Sequence, residues 1–274
     1  MSGIDEFLYS RSMDGLVPFD VQKEASKGFS MDLREVEDRI LTIGLLPMRY
    51  ARNRKTITPQ NQLVLFRSTV AVVGCGGLGG FLVEELLRAG VGNIIVIDPD
   101  IFEEHNLNRQ IYATMNNLGE PKVAAAALRA SEINPAANII PIQEVLSAEN
   151  GSELLKKSQL VLDALDSISV RMNLADLCEQ LGIPLVHGSV AGWYGQVLTQ
   201  YPGERIMQKL LGEYSEDRGI EEELGNPSFL PAMVASLEAA EAVKVLLGIG
   251  TTLRNRFLSI NLFDMEIVEI PILG

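Results

Sequence analysis

The stretch Val70-Ala-Val-Val-Gly74-Cys-Gly76-Gly-Leu-Gly79-Gly decides the fold of this chain. Four β-favouring residues lead directly into the pattern G-x-G-x-x-G, and residues 77–89 have the apolar spacing of a helix. Gly74 permits a tight turn, Gly76 allows the backbone to approach phosphate oxygens, and Gly79 allows the helix to pack on the strand. Because free N–H groups at a helix start attract anions, the stretch predicts a phosphate-binding turn between a strand and a helix.

A second apolar strand, residues 94–98, ends in Asp98, about 20 residues after the glycine loop. An acid at this position accepts hydrogen bonds from a ribose. Strand, loop, helix, second strand and acid stand in the expected order, which favours a nucleotide-binding βαβ unit over a chance match to a short glycine pattern. The unit alone does not distinguish NAD, FAD and ATP, because all three contain a ribose and a diphosphate.

Charged residues further along the chain favour ATP. ATP carries about four negative charges and a Mg²⁺ ion, so its site needs several cations and a carboxylate. Arg109 and Lys122 supply positive charge. Asp166 follows a predicted strand, residues 160–163, at the edge where open α/β sheets bind ligands. Each residue alone is typical of a solvated surface, but together they predict a Mg·ATP site.

Alternating strands and helices predict an α/β fold, with a Rossmann-like, doubly wound and mainly parallel sheet covered on both faces. The predicted strands span residues 70–73, 94–98, 139–142, 160–163, 184–186 and 196–200. The predicted helices span residues 77–89, 122–133, 169–181 and 231–247. Two further strands, residues 257–263 and 266–270, flank a short turn and predict antiparallel strands at the C-terminus.

Seven short motifs stand in the order seen in the ThiF/MoeB/HesA family, the bacterial relatives of ubiquitin-activating enzymes, and the chain resembles that family. The motifs are Arg49-Tyr-Ala-Arg52, Gly74-x-Gly-Gly-Leu-Gly79, Ala89-Gly-Val-Gly92, Asn106-Leu-Asn-Arg109-Gln110, Gly119-x-Pro121-Lys122, Ile133-Asn-Pro135 and Leu162-Asp-Ala-Leu-Asp166. The resemblance covers residues 49–274, which predicts an ATP-binding adenylyltransferase domain there. Residues 1–48 are predicted to be an N-terminal extension with one helix, residues 31–43, after an irregular stretch at residues 1–30.

The resemblance implies an activity and its partners. Family members use Mg·ATP to adenylate the C-terminal glycine carboxylate of a small ubiquitin-like sulfur-carrier protein of the ThiS/MoaD type, in thiamine or molybdopterin biosynthesis. The products are an acyl-adenylate and pyrophosphate. A carboxylate is already a nucleophile at neutral pH, so the chemistry requires positioning and cationic stabilisation rather than a catalytic histidine.

The resemblance also implies roles for individual residues. Asp98 would hold the ribose, and Asp166 would hold Mg²⁺. Arg52 would reach across a homodimer interface to the ATP phosphates of the partner subunit. The remaining nucleotide-binding residues would be the loop glycines and four polar or basic side chains: Gly74, Gly76, Gly77, Gly79, Asn106, Arg109, Gln110 and Lys122. The catalytic set would be Arg52, Arg109, Lys122 and Asp166.

The cysteines depart from the family pattern. Cys75 and Cys178 are the only two in the chain. Two C-x-x-C pairs, which bind a structural zinc in many relatives, are missing, so we predict no zinc. Residues 200–227, the expected crossover loop, contain no cysteine, so we predict an enzyme without its own thioester step. Cys178 and His187 are both predicted to be structural residues.

Composition excludes several functional classes. The 274 residues carry a formal net charge of −13, which argues against a nucleic-acid partner. No apolar run is long enough to span a membrane, and the acidic start does not fit a signal peptide, so we expect a cytoplasmic protein. Residues 49–67 hold five basic and no acidic side chains, which fits a phosphate-facing arm. Residues 204–223 hold seven acidic and three basic side chains, which fits a solvated loop or a surface for a partner.

Other functions stay open at this point. An NAD-dependent Rossmann oxidoreductase would need only the glycine loop and Asp98, which leaves Arg109, Lys122 and Asp166 without a reason. A non-catalytic relative that acts as a scaffold would fit the missing loop cysteine. Within the family, the substrate could also be a peptide or a tRNA base.

Overall fold

The structure, a computed structural model, describes residues 3–212 and 221–272. Its strands are β1 (Leu16–Val17), β2 (Leu46–Pro47), β3 (Thr69–Val73), β4 (Asn93–Ile97), β5 (Asn138–Ile142), β6 (Leu160–Asp163), β7 (Leu185–Ala191), β8 (Tyr194–Gln200), β9 (Arg256–Asn261) and β10 (Glu266–Pro271). Its α-helices are α1 (Gly3–Arg11), α2 (Phe19–Phe29), α3 (Leu33–Thr42), α4 (Pro59–Arg67), α5 (Gly79–Ala89), α6 (Lys122–Ile133), α7 (Gly151–Leu155), α8 (Ile168–Leu181), α9 (Ile206–Leu211), α10 (Glu221–Leu224) and α11 (Phe229–Leu247). Short 3₁₀ helices lie at Met48–Tyr50 and Glu104–Asn108.

Eight strands form one sheet in the order β10-β9-β8-β7-β6-β3-β4-β5. The strands from β7 to β5 are parallel, and β8, β9 and β10 continue the sheet with antiparallel pairing. From β3 the chain passes to β4 and β5 on one side, then returns to β6 on the other side. The carboxyl ends of β3 and β6 therefore form the topological switch point, where sheets of this type bind ligands.

Both faces of the sheet are covered by helices. On β3, Val70 and Val72 pack with α5, α6 and α11, whereas Ala71 and Val73 pack on the opposite face with α7, α8 and α9. This alternation follows from the two-residue period of a strand, and it explains why β3 is apolar throughout. The predicted Rossmann-like architecture with antiparallel C-terminal strands is confirmed.

The boundaries differ from prediction mainly at β7. The sequence predicts a strand at residues 184–186, whereas β7 runs to Ala191. The additional residues pair with the antiparallel strand β8, up to the contact of Ala191 with Tyr194, after β7 has left β6. In the described part of the chain, no helix combines the length and apolar character needed to cross a bilayer.

Residues 3–48 contain three α-helices, so the expectation of one helix after an irregular stretch is wrong. The helix predicted at residues 31–43 is present as α3, and Asp32 and Glu35 form a capping box at its start. Helices α1 and α2 are short and contain glycine, but they bury apolar side chains against α3. The shared core consists of Ile4, Leu8, Val17, Val21, Ala25, Val36, Ile40 and Leu45. This packing, rather than local propensity, stabilises them; the domain boundary after residue 48 stays a prediction.

Candidate active site

The glycine loop connects β3 to α5 at the switch point. Gly74 has φ +97°, and a Cβ there would stand 2.4 Å from the carbonyl oxygen of Ala164. A Cβ on Gly79 would stand 1.9 Å from the carbonyl oxygen of Gly74, so the helix packs on the strand in the way predicted for this glycine. At Gly76 the nearest atom to a Cβ is 3.5 Å away, on Gln110. Among the described residues, no contact is close enough to require glycine at residue 76. The backbone of Gly76 borders an open space.

That open space is a cavity of about 730 Å³ above the carboxyl ends of β3, β4 and β6. Its size is in the range of small-molecule sites in proteins. The structure brings nine of the predicted site residues into its wall: Gly74, Gly76, Gly77, Asp98, Asn106, Arg109, Gln110, Lys122 and Asp166. These residues come from five separate segments of the chain, so the fold brings the motifs together at one cavity.

Asp98 lies at the end of β4 and is 5 % exposed. One carboxylate oxygen accepts the N–H of Cys75 at 2.6 Å, and the other accepts the N–H of Asp100 at 2.8 Å. Burial raises the pKa of Asp98, while Lys122 and the two N–H groups oppose the rise. Each carboxylate oxygen has more than one acceptor direction, so Asp98 can still accept a ribose hydroxyl.

Two of the predicted site residues in the cavity wall are cationic. Lys122, the first residue of α6, is buried, and its Nζ lies 2.8 Å from Oδ2 of Asp100. Arg109 donates to Oδ1 of Asn108 at 2.8 Å. Burial lowers the pKa of Arg109, and the attraction of the Asp166 carboxylate opposes that shift. Arg109 and Asp166, far apart in sequence, therefore act on each other across the cavity.

The two amide side chains of the wall differ. Oδ1 of Asn106 accepts the N–H of Glu103 at 3.0 Å, and this bond caps the start of the 3₁₀ helix Glu104–Asn108. Gln110 is buried, and its Oε1 has no hydrogen-bond partner among the described residues. Its Nε2 lies beside the glycine loop, 3.5 Å from the position of a Cβ on Gly76, so the amide group borders the cavity. Together with the cations and the open backbone at Gly76, this fits a nucleotide.

Comparison with known proteins decides the family. The ThiF family model matches residues 50–273. The chain belongs to the ThiF family. It is 34 % identical over 227 residues to the SAMP-activating enzyme E1 of Haloferax volcanii, covering 81 % of this chain and 84 % of that protein. It is 38 % identical over 210 residues to the sulfur carrier protein adenylyltransferase of Thermus thermophilus, covering 74 % and 78 %.

These relatives establish this ThiF-family protein as an adenylyltransferase, as the resemblance predicted. The alternative of an NAD-dependent oxidoreductase is therefore rejected. An adenylyltransferase of this family uses ATP. The crystal structure of E. coli MccB has the same fold, with a TM-score of 0.70 and 20 % identity, covering 82 % of this chain and 69 % of that one.

Asp166 is one of several carboxylates that line the cavity of this ThiF-family protein and could hold a metal ion. It is exposed to the cavity beyond the end of β6. Among the described residues, no three His, Cys, Asp or Glu side chains are grouped to hold a metal by themselves. Mg²⁺ bound with a nucleotide needs only one or two carboxylates, because phosphates and water complete its shell. The donor set thus fits Mg²⁺ delivered with ATP.

Arg52 does not reach the cavity of its own chain. It is exposed in the turn after Tyr50 and borders a separate shallow hollow beside Glu85 and Arg88. The structure therefore separates Arg52 from the other three residues of the predicted catalytic set.

A group beneath Asp166 was missed by the sequence analysis. Asp163 is fully buried, accepts the N–H of Leu165 at 3.0 Å, and lies 2.7 Å from Nδ1 of His187. Nε of Arg171, on α8, donates to the carbonyl oxygen of Leu165 at 3.1 Å. The peptide groups of Leu165 are thus held from both sides, which fixes the turn that carries Asp166. The acid at the end of β6 was a visible signal, but nothing in the sequence pairs it with Arg171 or His187.

The two cysteine thiols are buried and free. Burial raises the pKa of Cys178 to about 12, and burial also raises the pKa of Cys75, which belongs to the glycine loop. Neither thiol is a thiolate at neutral pH, so neither is poised as a nucleophile. Of the expected crossover loop at residues 200–227 and its acidic stretch at 204–223, residues 213–220 lie outside the described part of the chain.

Proposed function

We propose that this enzyme adenylates the C-terminal glycine carboxylate of a small ubiquitin-like sulfur-carrier protein of the ThiS/MoaD type, using Mg·ATP. The observation that carries the proposal is the meeting of Arg109, Lys122 and Asp166 in one cavity with the glycine loop. Relatives named for a sulfur carrier and for an E1 activity support the choice of substrate.

ATP lies along the switch point in this proposal. Asp98 accepts hydrogen bonds from the ribose, and the backbone of Gly76 and Gly77 faces the phosphates. Asn106 and Gln110 bind the nucleotide with their amides. Asp166 would hold Mg²⁺, and the ion would offset part of the negative charge of the phosphates.

The charge of the cavity supports a need for Mg²⁺ and for a further cation. Acidic side chains in the wall outnumber arginines and lysines, since the acids are Asp98, Asp100, Glu103, Glu144 and Asp166 and the cations are Arg109, Lys122 and Arg171. A triphosphate adds about four negative charges. Because one chain alone does not balance them, we propose a symmetric homodimer in which Arg52 of the partner subunit supplies the missing charge.

The reaction is a nucleophilic substitution at the α-phosphorus of ATP. A carboxylate oxygen of the carrier forms a bond to that phosphorus, and the bond to the β-phosphate oxygen breaks. The products are the acyl-adenylate and pyrophosphate, and no proton has to be removed. Arg109 and Lys122 stabilise the charge that builds up as two anions meet, which is where a preorganised site gains most rate. Bound Mg²⁺ would supply further positive charge.

An aromatic surface beside the cavity supports a protein substrate. The ring of Trp193 lies 4.7 Å from that of Phe229 and 5.8 Å from that of Phe263, and all three side chains are exposed. Phe229 is at the start of α11, two residues before Pro231, which lines the cavity. Exposed aromatic clusters are typical of protein interfaces. We propose that the carrier docks here and extends its C-terminus toward Asp166.

In this proposal, another protein supplies the sulfur after adenylation. The described thiols are buried, and the crossover segment contains no cysteine. The enzyme therefore releases or hands over the acyl-adenylate rather than forming a thioester with the carrier.

ATP–pyrophosphate exchange tests the proposed function. The purified enzyme is incubated with Mg·ATP, labelled pyrophosphate and candidate ubiquitin-like carriers that end in Gly-Gly. We expect exchange that depends on both Mg²⁺ and the carrier, and that is lost when the terminal glycine is removed. Exchange stimulated only by a peptide or a tRNA would overturn the choice of substrate, and carrier-independent NAD reduction would overturn the reaction.

A further inference from the structure

The segment that carries Arg52 is fastened to α3 by a buried carboxylate. We call residues 48–57 the arginine arm. Glu37, on α3, is fully buried and accepts hydrogen bonds from the Arg49 guanidinium and, at 2.9 Å, from the Tyr50 hydroxyl. The Tyr50 hydroxyl in turn accepts from Nδ2 of Asn134 at 2.8 Å, just after α6. One carboxylate thus links α3 and the arm, and through the Tyr50 hydroxyl it also links them to the C-terminal end of α6.

Arg49 is held on further sides. It donates to Oε1 of the buried Gln22, on α2, at 3.2 Å, and its guanidinium lies 5.7 Å from the ring centroid of Phe19. Burial raises the pKa of Glu37, and the charge of Arg49 opposes that rise. Because removing two charges from water is expensive, a buried pair is weak evidence for stability. A role in fixing the geometry of the segment that carries Arg49 fits this network better.

What it holds in place is the start of a tight turn. The N–H of Asn53 donates to the carbonyl of Tyr50 at 2.8 Å, and the N–H of Ile57 donates to the carbonyl of Asn53 at 2.8 Å. Arg52 lies within this turn, two residues after Tyr50, with its side chain exposed. The direction in which Arg52 leaves the surface is therefore set by the anchoring of Arg49 and Tyr50.

We propose that the N-terminal helices serve the ATP site of the partner subunit, with Glu37 as the positioning residue for Arg52. The inference rests on the proposed role of Arg52 in a homodimer. It assigns a function to residues 3–42: they aim the arm, and none of them lines the cavity of its own chain.

The first test compares Glu37→Gln with Asp5→Asn in the full-length enzyme. Asp5 is also a buried acid of the N-terminal helices, paired with Arg39 at 2.6 Å, but it makes this pair away from the arm. We expect Glu37→Gln to lower the exchange rate about tenfold or more at saturating ATP and carrier, because small misplacements of a charge-stabilising group are costly. Asp5→Asn should lower Tm and leave the rate of the folded enzyme unchanged.

Mixed dimers, prepared with two affinity tags, separate positioning of Arg52 from damage to the chain's own cavity. Arg52→Ala mixed with Asp166→Ala should regain one working site, and so should Glu37→Gln mixed with Asp166→Ala. Glu37→Gln mixed with Arg52→Ala should regain none, because each site then receives a missing or misdirected Arg52. Restoration in that last pair would show that Glu37 acts on its own chain's site, and the inference would fall.

The outcomes also separate this inference from the proposed function. Full activity of the Arg52→Ala homodimer, or full exchange by a monomer, would overturn both the role of Arg52 in trans and this inference while leaving carrier adenylation intact. If Glu37→Gln does not fold, Tyr50→Phe removes only the hydroxyl between Glu37 and Asn134. It should give a smaller loss of rate with the same pattern of restoration, and restoration with Arg52→Ala would again contradict the inference.

Discussion

The nucleotide cavity and the contact of α3 with the sheet both contain charged side chains. In the α3 contact these side chains are paired within the protein, whereas in the cavity some of them remain open to a ligand. At the α3 contact the chain itself satisfies the charges: Arg34 donates to the carbonyl of Gly92 at 2.6 Å and to Oδ1 of Asn93 at 2.8 Å. In the cavity, by contrast, the carboxylate of Asp166 is exposed and lines open volume. Charges completed by the protein stabilise the fold, whereas charges that face open volume are available to a ligand.

Asp166→Ala should have the largest effect on the cavity side of this comparison. We expect a loss of about 10³-fold in exchange rate and of most Mg²⁺ dependence, because the carboxylate that holds the ion is removed. Tm should stay near that of the wild type, since no charge is left unpaired in the core. Exchange and thermal unfolding measured on the same preparation check both parts, and a variant that keeps its metal dependence would contradict the assignment.

Arg109→Ala and Arg34→Ala form a matched pair across the two regions. Arg109→Ala should cost about 10²-fold in rate with little loss of Tm, because burial already disfavours its charge. Lys122→Ala should lower the rate to a similar extent. Arg34→Ala should cost about 1–3 kcal/mol of stability through the lost hydrogen bonds, and leave the rate of the folded enzyme largely unchanged. Equal effects of Arg34→Ala and Arg109→Ala on the rate would remove the distinction between the regions.

Buried glutamates give a finer comparison. Glu37 has two partners, but Glu238, on α11 behind the cavity, has none for either oxygen among the described residues. Burial raises the pKa of Glu238 well above its ordinary value; Asp163 adds to the rise and Arg171 opposes it. The folded state therefore holds this proton more tightly than the unfolded state, so its contribution to stability falls as pH rises above the unfolded pKa, by at most about 1.4 kcal/mol per pH unit.

Glu238→Gln should remove this loss. We expect the variant to unfold at a higher temperature than the wild type at pH 8 and at nearly the same temperature at pH 4.5. Melting curves across that range, with Glu153→Gln as an exposed control, measure the effect. A difference in Tm that does not grow with pH would show that Glu238 is not protonated in the fold.

The smallest effect is expected for the cysteines. The double variant Cys75→Ala, Cys178→Ala should still adenylate its carrier, because both thiols are buried and protonated. Exchange measured beside the wild type checks this, together with gels run with and without reductant. A carrier–enzyme conjugate that reductant cleaves in the wild type and that disappears in the variant along with activity would contradict it.

The cavity could be predicted from sequence because each of its motifs is a short run of neighbouring residues. The glycine loop, Asp98 and the strand-end Asp166 are each defined by a few neighbouring residues, and parallel topology then brings strand ends together. The contacts made by α3 are not local. Glu37 meets Arg49, and Tyr50 meets Asn134 across 84 residues, so no spacing reveals them. Helices α1 and α2 were missed for the same reason, since their stability comes from packing on α3.

The two buried thiols can report local unfolding of the two faces of the sheet. Cys75 packs in the core on the α5 side of the sheet, and Cys178 packs in the core on the α8 side. A thiol reagent can react with either one only after its layer opens, because each is about 1 % exposed. Timed alkylation followed by mass spectrometry would therefore record, for each face of the sheet separately, how often the native core admits solvent.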